Sequence, residues 1–230
     1  MSSQARLGSS AAKRSSRSDE ALKPSVVVAP CYTGSATDPT ELRVLRDGEG
    51  LRDDSLRPRP FLEQQRIFDS PYGENRHYWK GHFAFELPDE LIDELLQRVA
   101  ALDRPPGDIL IESLHGAPKD ADAPESALGF RHAAFNISAM ATWADADLDE
   151  RYIAWARETA AAIEPWSVSG GYANYIQADE PTERVRAAFG SDAYERLQAL
   201  KRRYDPTNVL HRNQNIPPSA PKSTSKERLS

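Results

Sequence analysis

A single cysteine, Cys31, stands in 230 residues, so the chain can form neither an intrachain disulfide nor a metal site built on several cysteines. No apolar run approaches the ~18 residues that a membrane-spanning helix needs, and the N-terminus lacks the apolar stretch of a secretory signal. With neither feature, the expected location is cytoplasmic. Basic excess is missing as well. Twenty-nine Lys and Arg against 35 Asp and Glu leave a net charge of -6, whereas nucleic-acid binding shows as a basic face. There is no G-x-S-x-G elbow to raise a nucleophilic serine, even though Ser113-Leu114-His115-Gly116 holds a serine near a histidine. There is no G-x-G-x-x-G and no P-loop, so the chain has no phosphate cradle of its own. The five histidines lack ligand spacing. His77 and His82 are an odd number apart and would lie on opposite faces of a strand; His115, His132 and His211 are scattered. These absences leave no nucleic acid and no membrane among the expected partners, and composition alone says nothing about chemistry.

What is present is a polar globular mixture, 39% apolar and 28% charged, long enough for one large domain or two small ones with a real core. Residues 1–24 read as a disordered tail, since the first 18 are rich in Ser, carry four basic residues and no acid, and cannot bury enough apolar surface to offset their ordering entropy. Residues 219–230 read as a second polar tail. Between Pro39 and Pro60 the prolines indicate loop with one short helix.

The ordered part mixes strand and helix signals. Val26 opens a β-branched run stopped by Gly34, and Tyr78 to Leu87 alternates with a period of two. Pro88 starts a helix with acids in its first turn, and Leu91, Leu95, Val99 and Leu102 form its apolar stripe. Asp108 to Leu114 and Phe130 to Trp143 read as strands. In the second, Phe135, Ile137, Ala139, Ala141 and Trp143 form an apolar face, and Asn136, Ser138, Met140 and Thr142 a mixed polar one. A helix follows on Leu148, Tyr152, Trp155, Thr159 and Ile163. Gly170-Gly171 precedes an extended run from Tyr172 to Ile176. The last helical region starts near Thr182 and is interrupted at Gly190; Ser191 or Asp192 can cap the helix after the interruption, which Asp205-Pro206 ends. Strands interspersed with helices, without a βαβ rhythm, predict an α+β fold: an antiparallel sheet with helices on one face and the other face, carrying Asn136 and Ser138, left to meet a ligand or another domain.

Tyr172 and Asn174 would point the same way from an extended run. A phenol beside an amide can donate to and accept from a flat polar ring, although a cross-strand pair on a half-exposed sheet gives the same spacing.

The C-terminal third resembles a known family. Gly171-Tyr172-Ala173-Asn174-Tyr175, Arg184-Val185-Arg186-Ala187-Ala188-Phe189-Gly190, Tyr194-Glu195-Arg196-Leu197, Tyr204-Asp205-Pro206-Thr207-Asn208 and Asn213-Gln214-Asn215-Ile216-Pro217-Pro218 are similar, in order and spacing, to the berberine-like C-terminal segment of FAD-linked oxidases of the vanillyl-alcohol-oxidase type. Upstream, Tyr78-Trp79-Lys80, the strand with Ile111-Glu112 and the strand from Phe135 to Trp143 resemble the substrate domain of the same enzymes. The resemblance divides the chain into a substrate-domain-like region at 25–165 and the berberine-like segment at 166–218.

The resemblance implies a sheet whose helix-free face covers a flavin. It implies FAD as cofactor, with Tyr172 lining the active site and helping to deprotonate an alcohol, and Asn174 near the polar edge of the ring. It implies a substrate wall carrying Asn136 and Ser138, with Glu112 on a strand beside it. The substrate would be a small molecule, its alcohol or amine carbon giving hydride to the flavin. Relatives of this type carry an N-terminal FAD-binding domain that holds the pyrophosphate and tethers the flavin; this sequence has no tether or pyrophosphate motif. The expectation is therefore the C-terminal portion of an oxidoreductase, truncated, needing a separate FAD-binding domain or chain for activity. The other reading is a non-catalytic remnant or partner-binding scaffold with the same fold.

Overall fold

The computed structural model describes residues 2–8, 25–34, 40–67, 69, 75–101, 107–116, 127, 129, 131–168 and 170–219. Five strands, β1 (Ser2–Gly8), β2 (Ser25–Cys31), β3 (Arg76–Ala84), β4 (Gly107–Ser113) and β5 (Phe135–Trp143), form one antiparallel sheet in the order β2-β1-β4-β5-β3. Helices α1 (Thr40–Arg46) and α2 (Phe61–Gln64) lie in the connection to β3. Helix α3 (Asp89–Ala100) joins β3 to β4, and α4 (Asp149–Ile163) follows β5. The chain ends with α5 (Thr182–Phe189) and α6 (Ser191–Tyr204). The fold is α+β, as the sequence predicts. Among the described residues no helix is long and apolar enough to cross a membrane.

Alternation explains the layering. Odd residues of β4 and β5 face the helices: Ile109, Ile111 and Ile137 pack with Leu91, Leu95 and Val99 of α3 and Ile163 of α4. A second cluster joins Ala139, Ala141 and Trp143 to Tyr78 of β3 and to Tyr152 and Ala156 of α4. Each such aliphatic side chain contributes roughly 1.5–3 kcal/mol by leaving water. The four-residue spacing of Leu91, Leu95 and Val99 turns all three inward, and acids at Asp89 and Glu90 suit the positive end of the helix. The Trp155 indole N–H donates to the Arg98 carbonyl at 3.2 Å and ties α4 to α3.

Three segments differ from the sequence reading. Within the predicted tail of residues 1–24, Ser2–Gly8 forms β1, which pairs with both β2 and β4. Composition averaged over a long window hides a seven-residue piece that pairs along both its edges. Residues 9–24 and 220–230 of the predicted tails lie outside the described residues. The run from Tyr172 to Ile176 is not a strand: Ala173–Tyr175 is a 3-10 turn, closed by the Tyr175 N–H on the Tyr172 carbonyl at 2.8 Å. Finally, α6 is preceded by Gly190, at φ 77°, and carries no side-chain cap from Ser191 or Asp192.

Strand β3 is an edge of the sheet, and the chain after α4 returns along it. Ser167 bridges to Ala84, and the Val168 N–H donates to the Phe83 carbonyl at 2.8 Å. Two glycines permit close backbone approaches here, Gly170 against α5 and Gly81 between β3 and β5. Gly170 sits at φ 94°, in the left-handed region, against the backbone of Ala187 and Ala188. Gly81, in the middle of β3, pairs with Ser138, and a Cβ there would fall 2.3 Å from Ser138 Oγ and 2.5 Å from the Ile137 carbonyl oxygen. The second contact is backbone and cannot rotate away. Gly81→Ala is expected to cost about 3 kcal/mol of stability by forcing β3 from β5. Urea unfolding of the variant measures it, and a wild-type midpoint would show slack in this pairing.

Candidate functional site

The helix-free face of β3, β4 and β5 carries the polar residues singled out above. Gly81 pairs with Ser138, Phe83 with Asn136, and Glu112 of β4 with Asn136 from the other side. A narrow cleft opens over this face, lined by Gly81, Asn136, Ser138, Tyr172, Tyr175 and Arg184, with Gly171 and Ile176 beside them. Asn136, Ser138 and Tyr172 thus meet in one place. Glu112 and Asn174 join them by hydrogen bonds: Asn136 Nδ2 donates to Glu112 Oε2 at 2.7 Å, and Asn174 Nδ2 donates to the Tyr172 hydroxyl oxygen at 2.9 Å. The five residues form one connected set.

The set is more enclosed than the sequence implies. Asn136 is 2% exposed and Ser138 is fully buried, so this part of the sheet does not stand open. The cover is the 3-10 turn. The Tyr175 ring meets Trp79 of β3 edge-on at 5.5 Å and Tyr172 at 5.0 Å. Tyr172 and Asn174 lie together because the turn folds one onto the other, not because alternate strand residues share a face. Ser138 Oγ and the Trp79 indole nitrogen are buried without a hydrogen-bond partner. A buried hydroxyl without a partner is costly.

The turn is held by charge. Glu180, its side chain 4% exposed, pairs with Lys80 Nζ at 2.6 Å and with Arg184 Nε at 3.3 Å. Arg184 Nη2 donates to the Gly81 carbonyl at 2.6 Å, which satisfies an edge-strand acceptor and brings a guanidinium to the rim of the cleft. Next to Glu180, Asp179 accepts from the Tyr78 hydroxyl at 3.0 Å and pairs with Arg157 of α4. Burial is the main reason the Tyr78 hydroxyl ionises above its usual range, and its bond to the Asp179 carboxylate adds to the effect. Sequence reasoning gave no role to Trp79, Gly81, Tyr175, Glu180 or Arg184. Trp79, Tyr175 and Arg184 stand inside the quoted family motifs, and that was the available signal; the Lys80–Glu180 pair spans a hundred positions with no local trace.

His82, buried at 5% exposure, lies on β3 near the same cations. Burial, Arg184 and Lys80, in that order, lower its pKa from 6.5 to about 4.

A sequence profile of the family described as "Berberine and berberine like" matches residues 171–217. An uncharacterized FAD-linked oxidoreductase of Bacillus subtilis (strain 168), YvdP, is 30% identical over 102 residues, 44% of this chain and 21% of the relative. Among solved structures, 6-hydroxy-D-nicotine oxidase from Arthrobacter nicotinovorans superposes with a TM-score of 0.69 at 23% identity, over 95% of this chain and 48% of that one. BBE-like #28 from Arabidopsis thaliana gives 0.65 at 16% identity, over 95% and 50%. The chain thus spans about a fifth of the length of the curated relative and about half of these solved chains. The structural likeness establishes the fold.

The depressed pKa of His82 makes stability depend on pH. Above about 6.5 the imidazole is neutral in both folded and unfolded chains and contributes no slope. Between about 6.5 and 4 only the unfolded chain takes up the proton, so stability falls by roughly 3 kcal/mol and then levels. Asp149 and Asp205, held below 3.8 chiefly by Arg76 and Lys201, lose their contribution only at more acid pH. Denaturation at pH 7, 5 and 4 should therefore show a decline that His82→Gln flattens. An equal decline in both proteins would remove His82 as its source.

Proposed function

As a berberine-like relative of the FAD-linked oxidoreductases, the chain, we propose, supplies the wall of a flavin enzyme that receives the substrate, for oxidation of an alcohol or amine carbon. The observation that carries the reading is the connected set Glu112–Asn136–Ser138–Tyr172–Asn174 on the helix-free face of the sheet, inside and beside the berberine-like segment.

The residues fit a flat polar heterocycle. Ser138 Oγ has no partner, Asn136 presents an amide beside it, and glycine at 81 and 171 keeps the wall low between them. Asn174 is exposed and Tyr172 half-buried, so a ring approaching from solvent meets the amide first and the phenol next. When bound, the flavin supplies the two-electron acceptor for the hydride leaving the donor carbon. The chain's own residues do the rest. Tyr172 orients the donor and takes part in moving its proton at the phenol oxygen. Asn174 fixes that phenol and meets the polar edge of the ring. Asn136 and Ser138 hold the substrate's polar group and set the pocket's shape. Arg184 and Glu180 keep the covering turn in place.

The reading also calls for a partner, an FAD-binding domain or chain. The end of α6 and the loop after it offer a surface for one. The Asp205 carboxylate accepts the Val209 N–H at 2.7 Å and the Leu210 N–H at 3.0 Å and pairs with Lys201 at 2.6 Å. This clasp fixes the backbone at Val209 and Leu210, which are 69% and 77% exposed, and Leu200 and Tyr204 of α6 are exposed as well. Exposed apolar side chains of this kind are suited to a protein contact.

Titration of the purified chain with FAD, followed by visible absorbance and flavin fluorescence, tests the reading. Binding is expected, and loss of one hydrogen bond in Asn174→Ala should weaken it about fivefold. A chain that leaves the flavin spectrum unchanged, alone and in the presence of an FAD-binding domain from a berberine-like oxidase, would transfer it to the scaffold reading.

A further inference from the structure

Asn136 has two faces to offer, and its neighbour decides which one the cleft meets. An amide donates through Nδ2 and accepts through Oδ1, and electron density alone seldom tells them apart. Here chemistry tells them apart. The partner of the Asn136 side chain is Glu112 Oε2 at 2.7 Å, and an ionised carboxylate only accepts, so the nitrogen must be the end turned toward β4. The cleft lies on the opposite side of Asn136, toward Gly81 of β3. The carbonyl oxygen is therefore turned toward the cleft, and among the described residues no protein donor reaches it.

We infer that Glu112 is a positioning residue that locks Asn136 with its acceptor facing the cleft, and that this makes the site select the reduced, donor-bearing form of its substrate over the oxidised one. An alcohol O–H or an amine N–H can donate to Asn136 Oδ1. The carbonyl that an alcohol becomes has lost that hydrogen and offers the locked oxygen only another acceptor. Ser138 Oγ serves either form, since a hydroxyl both donates and accepts, so the discrimination falls on Asn136. The inference rests on the reading that this cleft receives the substrate, and it adds to it a reason for the product to leave.

The test uses the full chain and a matched pair of probes, 1-phenylethanol and acetophenone, which differ by the two hydrogens lost on oxidation. Binding is followed by NMR titration, with the Asn136 side-chain amide as reporter, assigned by its loss in Asn136→Leu. In the wild type the alcohol should shift the Asn136 amide and bind about fivefold more tightly than the ketone, the share of one hydrogen bond. In Glu112→Gln the neighbour can donate as well as accept, the Asn136 amide can turn over, and the preference should fall to about one while the backbone spectrum stays folded. Glu112→Asp, which keeps the charge, should retain a preference. Equal binding of the two probes in the wild type, or a preference untouched in Glu112→Gln, overturns the positioning role and leaves the substrate-wall reading standing. If neither probe shifts Asn136, the wall reading falls as well. Flavin binding is read separately by its absorbance, so the failures are distinguishable.

Discussion

The site depends on how the free edge of β3 is closed. An edge strand leaves alternate carbonyl and amide groups unpaired, and here the returning chain takes them up one after another. Ser167 bridges at Ala84, Val168 donates to Phe83, and Arg184 donates to Gly81. These contacts carry the segment with Tyr172 and Tyr175 over the helix-free face and leave it no freedom to swing out. Glycine at 81 shapes the face beneath: the absence of a side chain there leaves room for Ser138 Oγ beside β3. The structural edge contact and the candidate chemistry share one residue.

Glu180 is the electrostatic counterpart. Taking a carboxylate out of water costs several kcal/mol, and only nearby cations offset it. Lys80 and Arg184 do so from two different elements, one on the strand and one at the start of α5. The network adds little net stability in such a setting, but it specifies position: any other placement of the turn leaves a buried carboxylate with one cation or none. His82 shows the same field from the other side. Two cations and a dry surrounding make its charged form unfavourable, so the imidazole is neutral where Lys80 and Arg184 are charged. The cluster is arranged around one anion and tolerates no third cation.

How much of this was legible in the sequence follows from the range of the forces involved. Period-two alternation in β5 placed Asn136 and Ser138 together on the face opposite Ile137 and Ala139, because alternation is a local property. The stripe of α3 was legible for the same reason. Tyr172 and Asn174 were brought together correctly by a wrong route. Their contact comes from a 3-10 turn stabilised by Tyr175 against Trp79, and that packing partner lies nearly a hundred residues upstream. The burial of Asn136 and Ser138 had no sequence signal, since the cover arrives from a distant segment. Strand β1 was invisible to composition, because its backbone partners β2 and β4 lie further along the chain.

The direction of the Glu112–Asn136 bond has a consequence for the whole face. On this sheet surface the acidic Glu112, with an amide between it and the cleft, turns a charge into an orientation. The carboxylate does not need to touch a substrate to act on it; it acts by removing one of two ways the amide could lie. Had β4 carried a glutamine there, the wall would be symmetric with respect to donors and acceptors, and an alcohol and its carbonyl product would meet the same surface. With glutamate, the wall is polarised from β4 toward β3, and Ser138 and Tyr172 lie at the end where its acceptor emerges. Arg184 closes that end with a guanidinium already committed to Gly81 and Glu180. On the proposed reading, three strands and one buried hydrogen bond are sufficient to build selectivity for the reduced partner of a redox pair.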